Sequence, residues 1–528
     1  MKVWRKINLL KAFQNIPLHV ILLGSYPILA MLSANINEVD TRAANRLFLI
    51  GICASLLLFS FFVFIFRNIH KAGIATSIAM VLFLSYGQIY QALRSSLGGG
   101  VGMSIARHRI LLPVCLLLLG CIYWIILRRK NLQSATLAMN IIGSGLIIFN
   151  LLPILSHAFI IYQEKVIRAQ NSLARLALNK PLKEMPDIYY IILDSYTRAD
   201  VLKQDFDLDT TPFLNQMKEM GFYVADCSTS NYAFTEVSMA SSLNMNYLNE
   251  LRSDLNPDNK DLTLATALIQ NNEVRQQLEA IGYKTVAFET GYAWNHWTDA
   301  DLFLSPTESY RLGAKLQPFE AMFIESTALT IVSDFHPNWL TGEKASGRHT
   351  VTIERARFIL DKLPNLPDLG GPKFVYAHIN VPHVPFVFEA DGAIWDDPNF
   401  YNGVRDYPKN EEYFLEGYRQ QVEFLNNRIP DIVETIIRNS KIPPVIIIQG
   451  DHSIRDNSKM KILNLYHIPE EEGLLYSSIT PVNTFRVVFN DLFTTDYPLL
   501  ADRSYFSVSE DPYNFEEVFD STCLANGQ

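Results

Sequence analysis

The sequence predicts two structurally different parts: an α-helical membrane domain of five spans over residues 1–162, and an α/β domain over residues 186–528. Of the 528 residues, 49% are apolar and 19% are charged, and this charged fraction is below the ~25% usual in soluble domains. The charges are also unevenly distributed, because residues 1–163 carry 14 Lys and Arg but two acids, a net +12, whereas the remainder carries −21. We therefore expect the two parts to lie in different environments.

Five apolar stretches predict the membrane spans, at residues 16–35, 45–66, 72–92, 109–127 and 138–162. A bilayer core of ~30 Å requires about 20 apolar residues per helix, and each stretch is near that length. The scarcity of acids argues against buried helices of a soluble protein, and four further stretches after the first argue against a cleaved signal peptide. No Asp, Glu or Lys lies within a span, which argues against an ion or proton transporter.

Basic residues predict the orientation of the spans. Nine of them flank one side of the predicted membrane, namely Lys2, Arg5, Lys6, Lys11, Arg67, Lys71, Arg128, Arg129 and Lys130. The other side has five Arg, diluted by Glu38 and Asp40, so the positive-inside rule places the N-terminus inside the cell. An odd number of spans then places residue 163 onward outside the cytoplasm, as in a multi-pass protein of the cell (inner) membrane. In that compartment Cys227 and Cys523 could form a disulfide.

Residues 163–185 are predicted to link the two domains. Apolar and basic side chains alternate there at helical spacing, for example Val166 and Leu173 with Lys165 and Arg168. Such a segment suits an amphipathic helix at the level of the lipid headgroups. It equally suits a surface helix of the following domain.

From residue 186 onward, short apolar runs alternate with helical stretches. The runs are Ile188–Leu193, Phe222–Ala225, Lys284–Phe288, Phe374–Ile379 and Val445–Ile448, and the helical stretches are 211–220, 262–281, 350–363 and 416–439. This alternation predicts an α/β domain with a largely parallel central sheet. The acidic charge of this domain argues against nucleic acid as a partner, since phosphate backbones require clustered Lys and Arg.

Polar residues that follow the predicted strands indicate a metal site. Asp194 follows the first strand, Asp451 and His452 follow the last, and His378 and His383 lie at the end of the strand that begins near 374. Ligands of such sheets bind outside the carboxyl ends of the strands, and carboxylates with imidazoles suit divalent cations. Each residue taken alone also has an ordinary interpretation, as a helix N-cap, a turn or a core histidine.

Several motifs resemble the sulfatase-like branch of the alkaline phosphatase superfamily. They are the strand that ends in Asp194, the helix-to-strand step TPFLNQMKEMGF, the stretch NYAFTEVSMASSLN, the run NVPHVPF and the strand that ends in QGDH. The resemblance covers residues 186–495. With five preceding spans, the layout is similar to that of lipoteichoic acid synthases and lipid A phosphoethanolamine transferases. The resemblance implies an alkaline-phosphatase/sulfatase-like fold for the outer domain.

The resemblance also implies roles for individual residues. Asp194 matches the family's first metal carboxylate, and Asp451 and His452 match its Asp-His metal pair. Thr235 matches the nucleophile, which is also a metal ligand. His383 matches the histidine that contacts the transferred group or the leaving oxygen. A metal ion next to a threonine hydroxyl stabilises its alkoxide, which would then attack phosphorus in an in-line displacement.

The sequence departs from the family at two places. Thr235 is not part of the Cys/Ser-x-Pro-x-Arg motif from which sulfatases make formylglycine, so phosphoryl transfer is favoured over sulfatase chemistry. Ser195 takes the place of a second acid, so we expect one divalent ion, with zinc, manganese, magnesium and calcium not distinguished. The alternatives for the nucleophile are Ser238, Ser241 and Ser242. His378 is the alternative to His383.

Three functions are consistent with the sequence. The favoured one is a metal-dependent transferase of a phosphoryl-linked group, a lipid headgroup or envelope polymer, through a covalent threonine intermediate. The second is a hydrolase of phosphate or sulfate esters at the same site. The third is a membrane-anchored binding protein without catalytic activity, which is disfavoured because competent residues occupy every predicted ligand position.

Overall fold

The computed structural model describes residues 13–96, 107–175, 185–252, 255–306, 318–335, 347–395, 411–454, 460–469, 473–520 and 523. The chain forms two compact units. The first unit comprises Met1–Ala158 and Ser309–Gly347, and the second comprises Phe159–Glu308 and Arg348–Gln528.

The first unit is helical and apolar. Its long helices are α1 (His19–Ala34), α2 (Asn45–Phe66), α3 (Ile69–Ser96), α4 (His108–Arg128) and α5 (Gln133–Arg175, whose later residues belong to the second unit). Among the described residues, four helical stretches are long and apolar enough to cross a membrane: Thr41–Phe66, Ile69–Leu93, His108–Arg128 and Gln133–Ile167. Helix α1 has 16 residues, about 24 Å of helix, which is shorter than the bilayer core. The helical membrane region is therefore confirmed, with four candidate spans where the sequence predicts five.

The surfaces of these helices are suited to lipid. Large apolar side chains of α2, such as Leu57 (73% exposed) and Phe64 (81% exposed), are not covered by protein. In water such exposure of apolar surface would be unfavourable, whereas in a bilayer it is the expected state of a spanning helix. The helices thus satisfy their backbone hydrogen bonds internally and present apolar side chains outward.

A segment from the later part of the sequence belongs to the first unit. It contains α12 (Pro318–Ser326) and α13 (Thr330–Phe335). Phe319 and Phe323 pack into an apolar cluster with residues of α1, α2 and α3, and Glu320 forms an ion pair with Arg46. The backbone N–H of Ala328 donates to the carbonyl of Phe83 at 2.8 Å. No pattern in the sequence predicts that this segment belongs to the first unit.

The C-terminal part of α5 packs on the second unit. The carboxylate of Glu164, which is buried, pairs with Arg252 at 2.5 Å, and Lys165 pairs with Asp299 at 2.8 Å. Glu164 and Lys165 of the predicted linker thus contact residues of the second unit. Residues 176–184 of the predicted linker lie outside the described residues.

The second unit is built on a seven-stranded sheet with the strand order β2-β7-β6-β1-β5-β3-β4. The strands are β1 (Ile188–Leu193), β2 (Tyr223–Val224), β3 (Lys284–Phe288), β4 (Leu302–Leu304), β5 (Lys373–Ile379), β6 (Val445–Gln449) and β7 (Asn464–His467). Strands β6, β1, β5, β3 and β4 run parallel, whereas β7 is antiparallel to β6 and to β2. The predicted α/β class with a largely parallel sheet is therefore confirmed.

Helices cover both faces of this sheet. They are α6 (Ala199–Phe206), α7 (Thr211–Glu219), α8 (Thr235–Ser242), α9 (Leu248–Leu251), α10 (Thr263–Gln270), α11 (Glu273–Ala280), α14 (Gly347–Lys362), α15 (Glu411–Asn439) and α16 (Pro481–Phe493). Alternate residues of β1 enter two separate apolar cores, since Tyr189 and Ile191 belong to one and Tyr190 and Ile192 to the other. A strand buried on both faces reads as a continuous apolar run, which is why β1 could be located in the sequence.

The C-terminal region forms a hairpin and a disulfide. Strands β8 (Ser504–Val508) and β9 (Asp511–Val518) pair in antiparallel orientation. Cys227 and Cys523 form a disulfide, with Cα atoms 5.9 Å apart. The bond joins the loop after β2 to the end of the described chain.

Candidate active site

The two predicted metal carboxylates lie at the same edge of the sheet. Ile192 of β1 is in register with His378 of β5 and with Gln449 of β6. Because these strands are parallel, Asp194 and Asp451 both leave the sheet at its carboxyl edge, where ligands of such folds bind. Asp194 is fixed there by its backbone N–H, which donates to the carbonyl of Ile379 at 3.0 Å.

Ser195 links the two carboxylates. Its backbone N–H donates to Asp451 Oδ1 at 2.9 Å, and its hydroxyl donates to Asp194 Oδ1 at 3.1 Å. Ser195 has a φ of +63°, a left-handed conformation that is uncommon for residues with a side chain and that recurs at functional sites. Tyr418 of α15 holds this turn by donating its hydroxyl to the carbonyl of Ser195 at 2.7 Å.

Thr235 is the first residue of helix α8, and its hydroxyl lies at the same edge. Its Oγ1 is 3.1 Å from His452 Nε2. Ser238, one turn later, donates its hydroxyl to the carbonyl of Asp451 at 2.7 Å and so ties α8 to the loop after β6. The N-terminus of a helix favours negative charge, which suits an ionised hydroxyl or a phosphoryl oxygen at this position.

His452 directs an unprotonated nitrogen at the surrounding oxygens. Its Nδ1 donates to the carbonyl of Ser453 at 2.9 Å, so the lone pair is on Nε2. This nitrogen is 3.1 Å from Thr235 Oγ1, 3.5 Å from Asp451 Oδ2 and 3.8 Å from Asp194 Oδ1. We refer to these four atoms as the candidate centre.

The candidate centre fits a divalent cation. Ligands that surround one ion tetrahedrally at ~2.1 Å are separated by ~3.4 Å, which is the range of the three distances measured from His452 Nε2. Asp451 Oδ2 is buried and has no hydrogen-bond partner among the described residues. A buried carboxylate oxygen without a donor is costly, and a bound cation would remove that cost.

The charges at the site favour a positive ion. Burial by itself raises the pKa of the Asp194 carboxyl, but His383, His378 and His452 outweigh it and hold this pKa well below its usual range. Burial lowers the pKa of His452, whereas Asp451 and Asp194 raise it, and the net result is a raised pKa. The raised pKa of His452 has the sign expected beside two carboxylates, and the lowered pKa of Asp194 has the sign expected beside imidazoles that can carry positive charge.

His383 lies beside the candidate centre. Its ring centroid is 6.4 Å from that of His452, and its backbone N–H donates to the carbonyl of Asp194 at 3.0 Å. Its Nδ1 donates to the carbonyl of Val384 at 2.6 Å, which leaves Nε2 as a free proton acceptor. The buried Gln421 of α15 donates to the carbonyl of His383 at 3.1 Å and so holds this loop.

The alternative residues are placed differently. Ser241 and Ser242 are fully buried and donate to the carbonyls of Asn246 and Met239, at 2.8 and 3.4 Å. His378 is also buried, and its Nε2 is 3.4 Å from Asp194 Oδ2. Asp194, His378 and Asp451 each offer a ligand-type atom within 4.8 Å of the others. The sequence indicates His378 only as the alternative to His383 for contact with the leaving group. It does not predict that His378 lies next to Asp194.

Comparisons with known proteins identify similar structures. No protein-family model and no curated protein matches this sequence. The integral membrane lipooligosaccharide phosphoethanolamine transferase A (EptA) from Neisseria meningitidis is 12% identical, with a TM-score of 0.38 over 90% of this chain and 95% of that one. The C-terminal periplasmic domain of EcEptC from Escherichia coli, solved in complex with Zn, is 12% identical, with a TM-score of 0.38 over 62% of this chain and 90% of that one.

A third similar structure is the putative sulfatase yidJ from Bacteroides fragilis, 15% identical, with a TM-score of 0.37 over 63% of this chain and 84% of that one. Phosphoethanolamine transferases and a sulfatase-like protein are also the kinds of protein that the sequence motifs resemble. Identities of 12–15% and TM-scores below 0.4 carry no functional assignment to this chain. Its function is inferred from the geometry of the site.

Proposed function

We propose that this protein is a membrane-anchored, metal-dependent enzyme that transfers a phosphoryl-linked group through a covalent intermediate on Thr235. The observation that supports this proposal is the convergence of the candidate centre: the hydroxyl of Thr235 lies 3.1 Å from His452 Nε2, which is itself within 3.8 Å of both carboxylates. This arrangement brings a hydroxyl that could act as a nucleophile next to an imidazole nitrogen that also faces both carboxylates.

Each residue of the site has a proposed role. Asp194, Asp451, His452 and Thr235 would hold one divalent cation, and that cation would supply positive charge next to the hydroxyl and the phosphoryl oxygens. The N-terminus of α8 stabilises negative charge on Thr235. His383, oriented by its Nδ1 bond to the carbonyl of Val384, would take up a proton on Nε2 and pass it to the departing oxygen.

The reaction would proceed in two displacements. In the first, Thr235 loses its proton, a bond forms between Oγ1 and phosphorus, and the bond from phosphorus to the leaving oxygen breaks as that oxygen gains a proton. In the second, the hydroxyl of an acceptor loses a proton and attacks phosphorus, and Thr235 recovers its hydroxyl. With water as acceptor, the same residues would hydrolyse a phosphate ester.

We further propose that the site lies outside the cytoplasm and acts on a lipid headgroup or an envelope polymer. In this arrangement α1 is a fifth span, the N-terminus is inside the cell and the second unit is outside. The Cys227–Cys523 disulfide supports this location, because disulfides persist in oxidising compartments. Reporter fusions in the loops and at residue 300 test it, and a cytoplasmic reporter at residue 300 contradicts it.

Turnover by the full chain in detergent micelles tests the proposed chemistry. The substrates are a labelled phospholipid and an artificial phosphodiester, with added divalent metal. We expect Thr235→Ala to abolish turnover, Thr235→Ser to retain part of it, and a chelator to abolish it. Ser241→Ala is the matched control, because it removes a hydroxyl of the same helix that bonds away from the site.

Two results separate the alternatives. A modified acceptor among the products identifies a transferase, and a released phosphate monoester or free phosphate without a modified acceptor identifies a hydrolase. Full activity of Thr235→Ala contradicts the covalent mechanism.

A further inference from the structure

A chain of buried hydrogen bonds leads to Oδ2 of Asp194, the carboxylate oxygen that is not part of the candidate centre. The hydroxyl of Tyr376 donates to Asn295 Oδ1 at 2.5 Å. Asn295 Nδ2 lies 2.9 Å from His378 Nδ1, and His378 Nε2 lies 3.4 Å from Asp194 Oδ2. Tyr376, Asn295 and His378 are each only 1% exposed, so they exchange no hydrogen bonds with bulk water.

The contacts of Asn295 with Tyr376 and His378 together indicate the orientation of its amide. A separation of 2.5 Å suits an O–H···O hydrogen bond, whereas N–H···O bonds lie near 2.9 Å. The amide oxygen of Asn295 therefore faces Tyr376, and its NH₂ group faces His378 Nδ1. Because an amide NH₂ only donates, Nδ1 of His378 must accept, and the ring proton is on Nε2.

This tautomer is the opposite of the one at the other two histidines. His452 and His383 each donate Nδ1–H to the carbonyl of the following residue, which leaves Nε2 unprotonated. His378 instead presents Nε2–H toward Asp194 Oδ2. The other carboxylate oxygen, Oδ1, is the one that faces His452 Nε2 at 3.8 Å. The two oxygens of Asp194 therefore have different neighbours, His378 at Oδ2 and His452 at Oδ1.

We propose that His378 is a positioning residue for Asp194 and is not itself a ligand of the cation. It donates Nε2–H to Oδ2 and thereby holds the carboxylate with Oδ1 directed at the candidate centre, while Asn295 and Tyr376 fix its tautomer. This inference deepens the proposed function and rests on it. If His378 were a ligand, its Nε2 would carry no proton, and Asn295 would have to present its oxygen to Nδ1–H.

The tautomers are measured on the metal-free full chain in detergent. Histidine is labelled with ¹⁵N, and two-bond ¹H–¹⁵N correlation spectra at about pH 9, well above the ordinary imidazole pKa of about 6.5, report which ring nitrogen carries the proton. Signals are assigned by their loss in His378→Gln and His452→Gln. We expect a proton on Nε2 of His378 and on Nδ1 of His452, which serves as the internal control. A proton on Nδ1 of His378 overturns the inference.

Zinc affinity provides the second measurement, by competition with a chromophoric chelator. His378→Gln retains a side-chain N–H donor, so we expect Zn²⁺ affinity within a few-fold of the unaltered protein. His378→Leu removes the donor, and outer-shell partners of metal ligands contribute about 10–100-fold to affinity, so a loss of that size is expected. Equal losses in both variants overturn the positioning role.

For Asn295→Asp, the positioning role and the ligand role of His378 predict changes in Zn²⁺ affinity of opposite sign. A carboxylate opposite Nδ1 draws the ring proton to Nδ1 and removes the donor to Asp194, so we expect weaker Zn²⁺ binding. The same change would favour the ligand form of His378, so tighter binding contradicts the inference. Failure of the unaltered protein to bind Zn²⁺ would contradict the proposed function instead, and the tautomer spectra, recorded without metal, would still decide the state of His378.

Discussion

Gly450 lies between strand β6 and Asp451, and replacing it with alanine should disrupt the candidate centre. A Cβ atom at this position would lie 2.3 Å from the carbonyl oxygen of Tyr196. That oxygen accepts a hydrogen bond from the backbone N–H of Leu463 at 3.1 Å, and the N–H of Gly450 donates to the carbonyl of Leu463 at 2.8 Å. Neither partner in the clash is a flexible side chain, so the backbone itself must move.

The size of the effect follows from this distance. Ordinary contacts lie near 3.5 Å, so the two backbones must separate by about 1 Å. Gly450 precedes Asp451, and Tyr196 lies two residues after Asp194, so the movement displaces one or both carboxylates. Misplacing reacting groups by 1 Å lowers turnover by roughly 100-fold, and overpacking of this kind destabilises a fold by about 1–3 kcal/mol.

Turnover of the phosphodiester, Zn²⁺ affinity and thermal unfolding of the full chain measure these effects. Gly370→Ala is the control, because a Cβ at Gly370 meets no atom within 4 Å. We expect Gly450→Ala to lose both turnover and Zn²⁺ affinity and Gly370→Ala to lose neither. If Gly450→Ala retains the turnover and the affinity of the unaltered protein, the close packing of the two loops inferred here is wrong.

Three further perturbations test the stability of the second unit. Lys373→Met leaves the carboxylate of Asp187 partly buried without its ion-pair partner, and we expect the free energy of unfolding to fall by about 3–5 kcal/mol with Zn²⁺ affinity unchanged, because the pair lies at the amino ends of β1 and β5. Reduction of the disulfide should lower the unfolding temperature, since a disulfide contributes about 2–4 kcal/mol, and the effect should be absent in Cys227→Ser. Burial raises the pKa of Asp200, but Arg198 and other cations lower it to about 2, so its stabilising contribution is present above the unfolded-state value near 3.9 and is lost as the pH falls toward 2. Asp200→Asn should therefore unfold at a lower temperature than the unaltered protein at pH 7, and a difference that fails to shrink between about pH 4 and pH 2 contradicts this assignment.

Much of the central sheet could be predicted from the sequence. The bounds of β1 and β3 agree with the prediction, and those of β5 and β6 differ by one residue, because strands buried on both faces appear as uninterrupted apolar runs. Strands β4 and β7 were not predicted. They have three and four residues, and such short runs carry no distinctive pattern, so their formation depends on pairing with a neighbouring strand.

One helix prediction was too long for a local reason. The stretch 262–281 was predicted as helical, whereas the structure has α10 and α11 separated by Asn271 and Asn272. The side chain of Asn272 accepts a hydrogen bond from the backbone N–H of Arg275 and caps α11. An Asn that caps a new helix and an Asn within a helix cannot be distinguished by apolar periodicity alone.

The site could be predicted in part. Asp194, Asp451 and His452 follow strands that were recognised, so their convergence follows from the parallel arrangement. Thr235 came from the family resemblance, since nothing in the local pattern separates it from the neighbouring serines. The proximity of His378 to Asp194 depends on the register of β5 against β1, which requires the three-dimensional structure.

Mass analysis of the Thr235 peptide tests the central claim most directly. The full chain is incubated with divalent metal and a labelled phospholipid, quenched with acid and digested. We expect a peptide that contains Thr235 to carry the mass of the phosphoryl-linked group, and we expect this adduct to be absent from Thr235→Ala and from protein treated with a chelator. Turnover of the phospholipid by Thr235→Ala at the rate of the unaltered protein, or an adduct on Ser238 in place of Thr235, would contradict the account.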